Sequence, residues 1–204
     1  MVSFTMKSIA RRNIIAHGIA AAGIIIVPKV LAGEIQAANQ PVFQFNGVDY
    51  YFRWSNSKQY EFTPVEQSDL DKYSDMFTVV AAPDNTAEGL AAWANATLDM
   101  YKSKGAILKG SSVPATPHKP AEHFIAAMLR GNGVIEGIFA RFVLLDGVGY
   151  SLVYVRRGYG AGAGASVGKW VTANGAKTEA ALMKFAPVPT VDLLKKWRKA
   201  ALVR

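Results

Sequence analysis

Glu-His-Phe-Ile-Ala-Ala-Met-Leu-Arg, residues 122–130, runs through Asn132-Gly133 into Glu-Gly-Ile-Phe-Ala-Arg-Phe-Val-Leu-Leu, residues 136–145. That segment runs through Asp146-Gly147 into Tyr-Ser-Leu-Val-Tyr-Val-Arg-Arg, residues 150–157. Three apolar runs of strand length, joined by dipeptides that favour two positive φ angles, predict an antiparallel meander. Upstream, residues 42–54 place Asn46-Gly47 between alternating apolar residues, which predicts a hairpin. Met76 to Ala82 reads as a buried strand ending at Pro83, and Ala106 to Val113 as another.

The helices are read from caps and spacing. Asn85-Thr86-Ala87-Glu88 has the form of a capping box, with Asn85 as the cap. A helix is expected from there to Lys104, with Leu90, Ala94, Leu98 and Tyr101 on one face and Gly105 as a left-handed stop. Residues 55–60 read as polar loop, and 66–73 as a short helical turn. Three prolines in 114–120 require a loop. The glycine-rich stretch Gly158 to Gly168 reads as a flexible loop before a helix at 167–174. Asn174-Gly175 is expected to interrupt it, with helix resuming over 178–185. The fold class is therefore α+β: an antiparallel β-sheet built from hairpins and a meander, with two or three helices packed on it.

The chain has 204 residues, half of them hydrophobic, and no cysteine. It can form one sizeable core, but no disulfide, thiolate metal site or cysteine nucleophile. Its formal charge of +8 sits at the ends. Residues 1–32 hold Lys7, Arg11, Arg12 and Lys29 and no acid. Residues 190–204 hold Lys195, Lys196, Arg198, Lys199 and Arg204 against Asp192. The middle, 33–189, is neutral, which argues against a nucleic-acid partner, since phosphate binding needs a basic face on the folded body.

Lys7, Arg11 and Arg12 precede an apolar run from Ile14 to Val27, closed by Pro28 and Lys29. That run is shorter than a bilayer span and fits a signal-peptide core. Residues 1–32 are expected to be a signal peptide, cleaved near Ala32 or Ala37, leaving a single α+β domain over 33–189. Ala10-Arg11-Arg12-Asn13-Ile14-Ile15 resembles a twin-arginine export signal, departing from it at Ala10. The expected location is periplasmic or secreted.

Three groups of residues resemble a family of uncharacterised bacterial exported proteins. The first is Glu61-Phe62-Thr63-Pro64 with Asp69-Leu70 and Tyr73-Ser74-Asp75-Met76. The second is Ser112-Val113-Pro114 with Pro120-Ala121-Glu122-His123. The third is Phe139-Ala140-Arg141-Phe142 with Gly149-Tyr150-Ser151. The likeness spans 41–189 and implies no catalytic residue. The element order is also similar to the α/β/α sandwiches of the PsbP and Mog1 type, which implies an accessory or partner-binding role.

Candidate chemistry is sparse. Ala163 to Lys169 approaches a phosphate-binding loop, but Trp170 stands where a magnesium-holding hydroxyl is needed, and Ser166 reads as a helix cap. No cofactor and no metal site is expected. Glu122 with His118 and His123 suggests a hydrolase, but a strand at 121–130 turns Glu122 and His123 to opposite faces. The acidic pairs Asp69/Asp71 and Asp71/Asp75 read as a solvated charged face. Arg141, Tyr150, Tyr154, Arg156 and Tyr159 form a candidate surface for a small ligand or protein partner, with Tyr150, Tyr154 and Arg156 on one strand face. In the tail, Trp197 with Lys195, Lys196, Arg198 and Lys199 forms a basic amphipathic helix. That helix could meet a membrane or partner, or dock on the domain. The expected function is an exported, non-enzymatic binding protein of the cell envelope. A membrane-surface protein held by its tail helix, or a hydrolase using Glu122/His118/His123, are the alternatives.

Overall fold

The computed structural model describes residues 40–202 except 84 and 132, with side chains described through Trp197. The leader, its twin-arginine pair, His17 and both cleavage positions lie outside the described residues, as does Asn132. The strands are β1 (Phe43–Phe45), β2 (Val48–Ser55), β3 (Gln59–Thr63), β4 (Asp75–Pro83), β5 (Gly105–Val113), β6 (Glu122–Gly131), β7 (Val134–Leu145) and β8 (Val148–Tyr159). The helices are α1 (Ala87–Lys104), α2 (Ala163–Met183) and α3 (Val191–Leu202).

The strands form one eight-stranded sheet in the order β1-β2-β3-β4-β8-β7-β6-β5, antiparallel throughout. The meander is β6-β7-β8, as its turn dipeptides predict; Asp146 and Gly147 take φ of 50° and 75°. Asn46 and Gly47, at 51° and 82°, make the β1–β2 turn. β4 then closes on β8, so β7 and β8 lie at the centre and are buried on both faces.

Alternation along these central strands feeds two separate cores. Phe139, Leu152 and Tyr154 join Phe77, Phe124 and Leu182 of α2 on one face. Ile138, Ala140, Phe142, Val153 and Val155 join Leu90, Ala94 and Tyr101 of α1 on the other. The expected face of α1 is thus the face that packs, with Leu98 partly buried beside it. α3 lies beyond α2, with Leu194 fully buried and Trp197 stacked on Phe52 at 5.9 Å.

β1 curls back over the α2 face. In a flat sheet it would lie roughly 14 Å from β4, yet the Phe43 and Phe45 rings stand 4.9 and 5.2 Å from Phe77. Burying each ring contributes about 1.5–3 kcal/mol, against about 0.5–1.5 kcal/mol for one ladder hydrogen bond. The two rings therefore contribute on the same scale as the whole pairing of this three-residue strand.

Several expectations are corrected. Gln59–Thr63 is a strand, not a loop leading to a helix; its short polar–aromatic alternation, Gln-Tyr-Glu-Phe-Thr, lies against the polar run 55–58 and Pro64, and all five residues are buried. Residues 65–72 form turns instead of a helix. The Gln67 carboxamide accepts the Ser74 and Asp75 N–H groups, and Asp69 accepts that of Asp71, side-chain bonds that compete with helix formation. The helix after the meander is continuous over 21 residues, starting from Gly162, so Ser166 is not its cap and Asn174-Gly175 does not interrupt it. Gly137 and Gly158 on the strands below explain its stability: a Cβ at either would stand 2.8 Å from a Val171 or Val167 methyl. Bare backbone lets α2 seat closely, and that packing outweighs the low helix propensity of its own glycines. Last, α1 is capped by Thr86, whose hydroxyl accepts the Gly89 N–H at 3.0 Å, and not by Asn85.

Gly105 ends α1, but not in a left-handed conformation; its φ of 178° is extended backbone. Glycine is needed there because a Cβ would meet the Met128 carbonyl oxygen at 2.1 Å. Gly110, in the same strand, has open space around it. Gly105→Ala is therefore expected to cost at least ~2 kcal/mol in urea unfolding, while Gly110→Ala stays within ~0.5 kcal/mol of the parent. Equal losses would contradict the close approach.

Candidate functional site

Cross-strand register places Asp75 of β4 opposite Arg156 of β8, and Phe77 opposite Tyr154, all on the α2 face. Asp75 Oδ1 accepts the Tyr154 hydroxyl at 2.6 Å. Its Oδ2 accepts Arg156 Nη1 at 2.7 Å, Ser74 Oγ at 3.0 Å and Gln67 Nε2 at 3.2 Å. Four donors, three of them on Oδ2, commit the carboxylate to organising the site. Burial and the adjacent Asp75 push the Tyr154 hydroxyl far above a phenol's ordinary range, so it stays a donor. The Tyr50 hydroxyl is raised by the same two causes.

Above this network is a cleft of about 300 Å³. Phe45, Asn46 and Val48 of the β1–β2 hairpin form one wall, and Trp170, Lys177 and Thr178 of α2 the other. Pro64 and Glu66 of the β3–β4 loop close the end. The Arg156 guanidinium lies 5.7 Å from the Trp170 ring centroid, a cation–π contact that fixes both. Thr178 is 1% exposed, and its hydroxyl has no hydrogen-bond partner. A buried hydroxyl without a partner costs about 1–3 kcal/mol, and this one belongs to a residue lining the cleft.

The five sequence candidates do not form one surface. Tyr154 and Arg156 line this cleft, with the hydroxyl and guanidinium already held by Asp75. Tyr150 shares their face but is buried, and lines a second, wider cleft with His118, Asp146, Val188 and Asp192. Tyr159 falls on the opposite face, where its hydroxyl donates to the Tyr73 carbonyl at 2.7 Å. Arg141 is a buried clamp and not a ligand surface. Its Nε donates to Glu122 at 2.7 Å, and its Nη1 to the carbonyls of Leu182 and Phe185 at 3.1 and 2.9 Å, closing the end of α2.

Glu122 also pairs with Lys119, while His123 faces Ser112 Oγ at 2.8 Å from Nδ1. The hydrolase set is therefore divided, as strand parity requires. Burial would raise the Glu122 carboxyl, but Arg141 and Lys119 outweigh it and hold it below the ordinary carboxylate range. Among the described residues no cluster of three or more His, Asp or Glu could hold a metal ion. In the tail, Trp197 packs on Phe52 and Phe62, which removes the aromatic anchor from the membrane reading; Lys195 and Lys196 stay exposed. Arg198 and Lys199 lie beyond the described side chains. Among the described residues no helix is long and apolar enough to cross a membrane.

Sequence reasoning missed Asp75, Trp170, Lys177 and Thr178 as site residues. The sequence neighbours Asp69 and Asp71 suggest a solvated face for Asp75, and only its pairing with β8 draws it inward.

No protein-family model and no curated protein sequence matches the chain. Among solved structures it is similar to a Pseudomonas aeruginosa protein of unknown function. The identity is 9%, the TM-score 0.39, and the match covers 72% of this chain and 88% of that one. A likeness at that level adds nothing to the reading of the cleft.

Arg141→Met is expected to destabilise the protein by about 3 kcal/mol, because it leaves the buried Glu122 carboxylate with only the exposed Lys119 and removes the donor to the Leu182 and Phe185 carbonyls. Replacing Glu122 by Leu as well should recover part of that loss. The Glu122 carboxyl is depressed on folding, so its contribution is complete above its unfolded value of about 4.3 and disappears as pH falls through the folded value. Urea midpoints measured from neutral to acid pH should therefore fall less steeply for Glu122→Gln than for the parent. Parallel slopes would remove Glu122 from the acid response.

Proposed function

We propose that this protein is an exported, non-enzymatic α+β domain that binds a small ligand or partner in the bacterial cell envelope, with the Asp75 cleft as its binding site. The observation that carries the reading is a cleft organised in advance. Asp75 fixes Tyr154 and Arg156, the guanidinium fixes Trp170, and an unpaired Thr178 hydroxyl lies buried beneath the lining. Fixed polar groups lower the ordering cost of binding. Support for a non-enzymatic role comes from the remaining titratable groups. The Glu122 carboxylate is locked in ion pairs, and His118 and His123 belong to different surroundings. Support for export comes from the charge pattern and apolar run of residues 1–32.

Two measurements test this. Mass spectrometry of native material is expected to find a chain beginning after Ala32 or Ala37 in the envelope fraction; an intact Met1 in the cytosol would contradict export. A small-molecule envelope extract added to the purified mature protein is expected to move the Trp170 indole N–H signal in NMR. The Trp93 signal should stay still, because Trp93 packs beside Phe142 on the other face. The cleft reading fails if neither signal moves or if both move alike.

A further inference from the structure

The ionised groups around the cleft form an unusual remainder. Asp75 and Arg156 pair with each other. Two ionised side chains in the lining are left, Glu66 on the β3–β4 loop and Lys177 on α2. Both are exposed at the rim, and neither makes a direct ion pair with the other or with any described residue, although Glu66 lies close enough to the Arg53 guanidinium for the two charges to interact. They have opposite sign and stand on different walls.

A ligand carrying one charge would satisfy one of them and bring a like charge towards the other. At the exposed rim an opposite charge strengthens binding and a like charge weakens it. A ligand carrying both charges satisfies both. The rest of the lining adds two requirements. Phe45, Val48 and Trp170 offer apolar surface for a side chain, and the Thr178 hydroxyl, covered from solvent and without a protein partner, is a hydrogen-bonding group that a ligand reaches by displacing the side chains over it. A volume near 300 Å³ is at the small end of ligand pockets and excludes a dinucleotide or a long peptide.

We propose that the Asp75 cleft binds a free α-amino acid with an apolar side chain. Its carboxylate is held by Lys177 and the Thr178 hydroxyl, its ammonium by Glu66, and its side chain lies between Phe45 and Trp170. This inference rests on the cleft being the binding site, and it adds the chemical class of the ligand.

The test presents the free protein amino acids one at a time to the purified mature protein, followed by the Trp170 indole signal and calorimetry. The best binder is then compared with its N-acetyl and carboxamide derivatives, each of which lacks one charge. The free amino acid is expected to bind about tenfold or more tightly than either derivative, a difference of about 1.4 kcal/mol. Glu66→Gln should abolish the advantage over the N-acetyl form, and Lys177→Gln the advantage over the amide. Thr178→Val should weaken binding severalfold without lowering the unfolding midpoint, because it removes a hydroxyl that has no partner in the free protein. Derivatives that move Trp170 and bind as tightly as the free amino acid would overturn the zwitterion assignment and leave the cleft standing. If no amino acid or derivative binds while the envelope extract still moves Trp170, the ligand class is wrong and the cleft reading survives. Silence in both experiments overturns both. Binding that Glu66→Gln and Lys177→Gln leave unchanged would also overturn the assignment.

Discussion

The structure depends on the register of β7 against β8. Glu136 stands directly opposite Arg157, and the two form a buried ion pair, with Arg157 Nε at 2.7 Å from Glu136 Oε1. The Arg157 guanidinium also lies over the Tyr73 ring at 4.0 Å. A one-residue slip of β7 against β8 would invert one strand relative to the other, sending Phe139 into the α1 core and Glu136 under α2, away from Arg157. A buried charge separated from its partner costs about 3–5 kcal/mol, so this pair excludes the slipped arrangement more strongly than it stabilises the native one. The same register puts Gly137 and Gly158 beneath α2 and aims Tyr154 and Arg156 towards Asp75. The cleft is thus a consequence of strand pairing, completed by α2 on one side and the curled β1–β2 hairpin on the other.

Within the cleft, the charged groups divide into two kinds. Asp75 and Arg156 satisfy each other and hold the geometry; Glu66 and Lys177 remain in water at the rim. A site with its floor neutralised and its rim charged selects by shape and charge pattern, without strong net attraction for either sign. That agrees with the neutral body of the chain, whose excess positive charge is confined to the two ends.

Much of the fold was legible because its turns carry strong local signals. Asn46-Gly47 and Asp146-Gly147 take the positive φ angles their chemistry favours, and the proline run ends β5 where expected. What escaped were features set by distant contacts. β3 is only five residues long and alternates Gln59, Glu61 and Thr63 with Tyr60 and Phe62, a pattern that suits a half-exposed strand, whereas tertiary contacts bury both its faces. The continuity of α2 depends on glycines in two strands rather than on its own residues. The site was half legible for the same reason. Strand parity grouped Tyr150, Tyr154 and Arg156 correctly on one face. It could not show that α2 and β1 cover that face, that Arg141 is occupied beneath them, or that Asp75 is drawn in by pairing.

The most direct measurement is a crystal structure of the mature protein grown with its tightest-binding amino acid. The account predicts ligand density over Asp75, within hydrogen-bond distance of the Thr178 hydroxyl, with the Asp75–Tyr154–Arg156 network unchanged. A β1–β2 hairpin packed elsewhere, or a Thr178 hydroxyl satisfied by the chain itself with no ligand beside it, would contradict it.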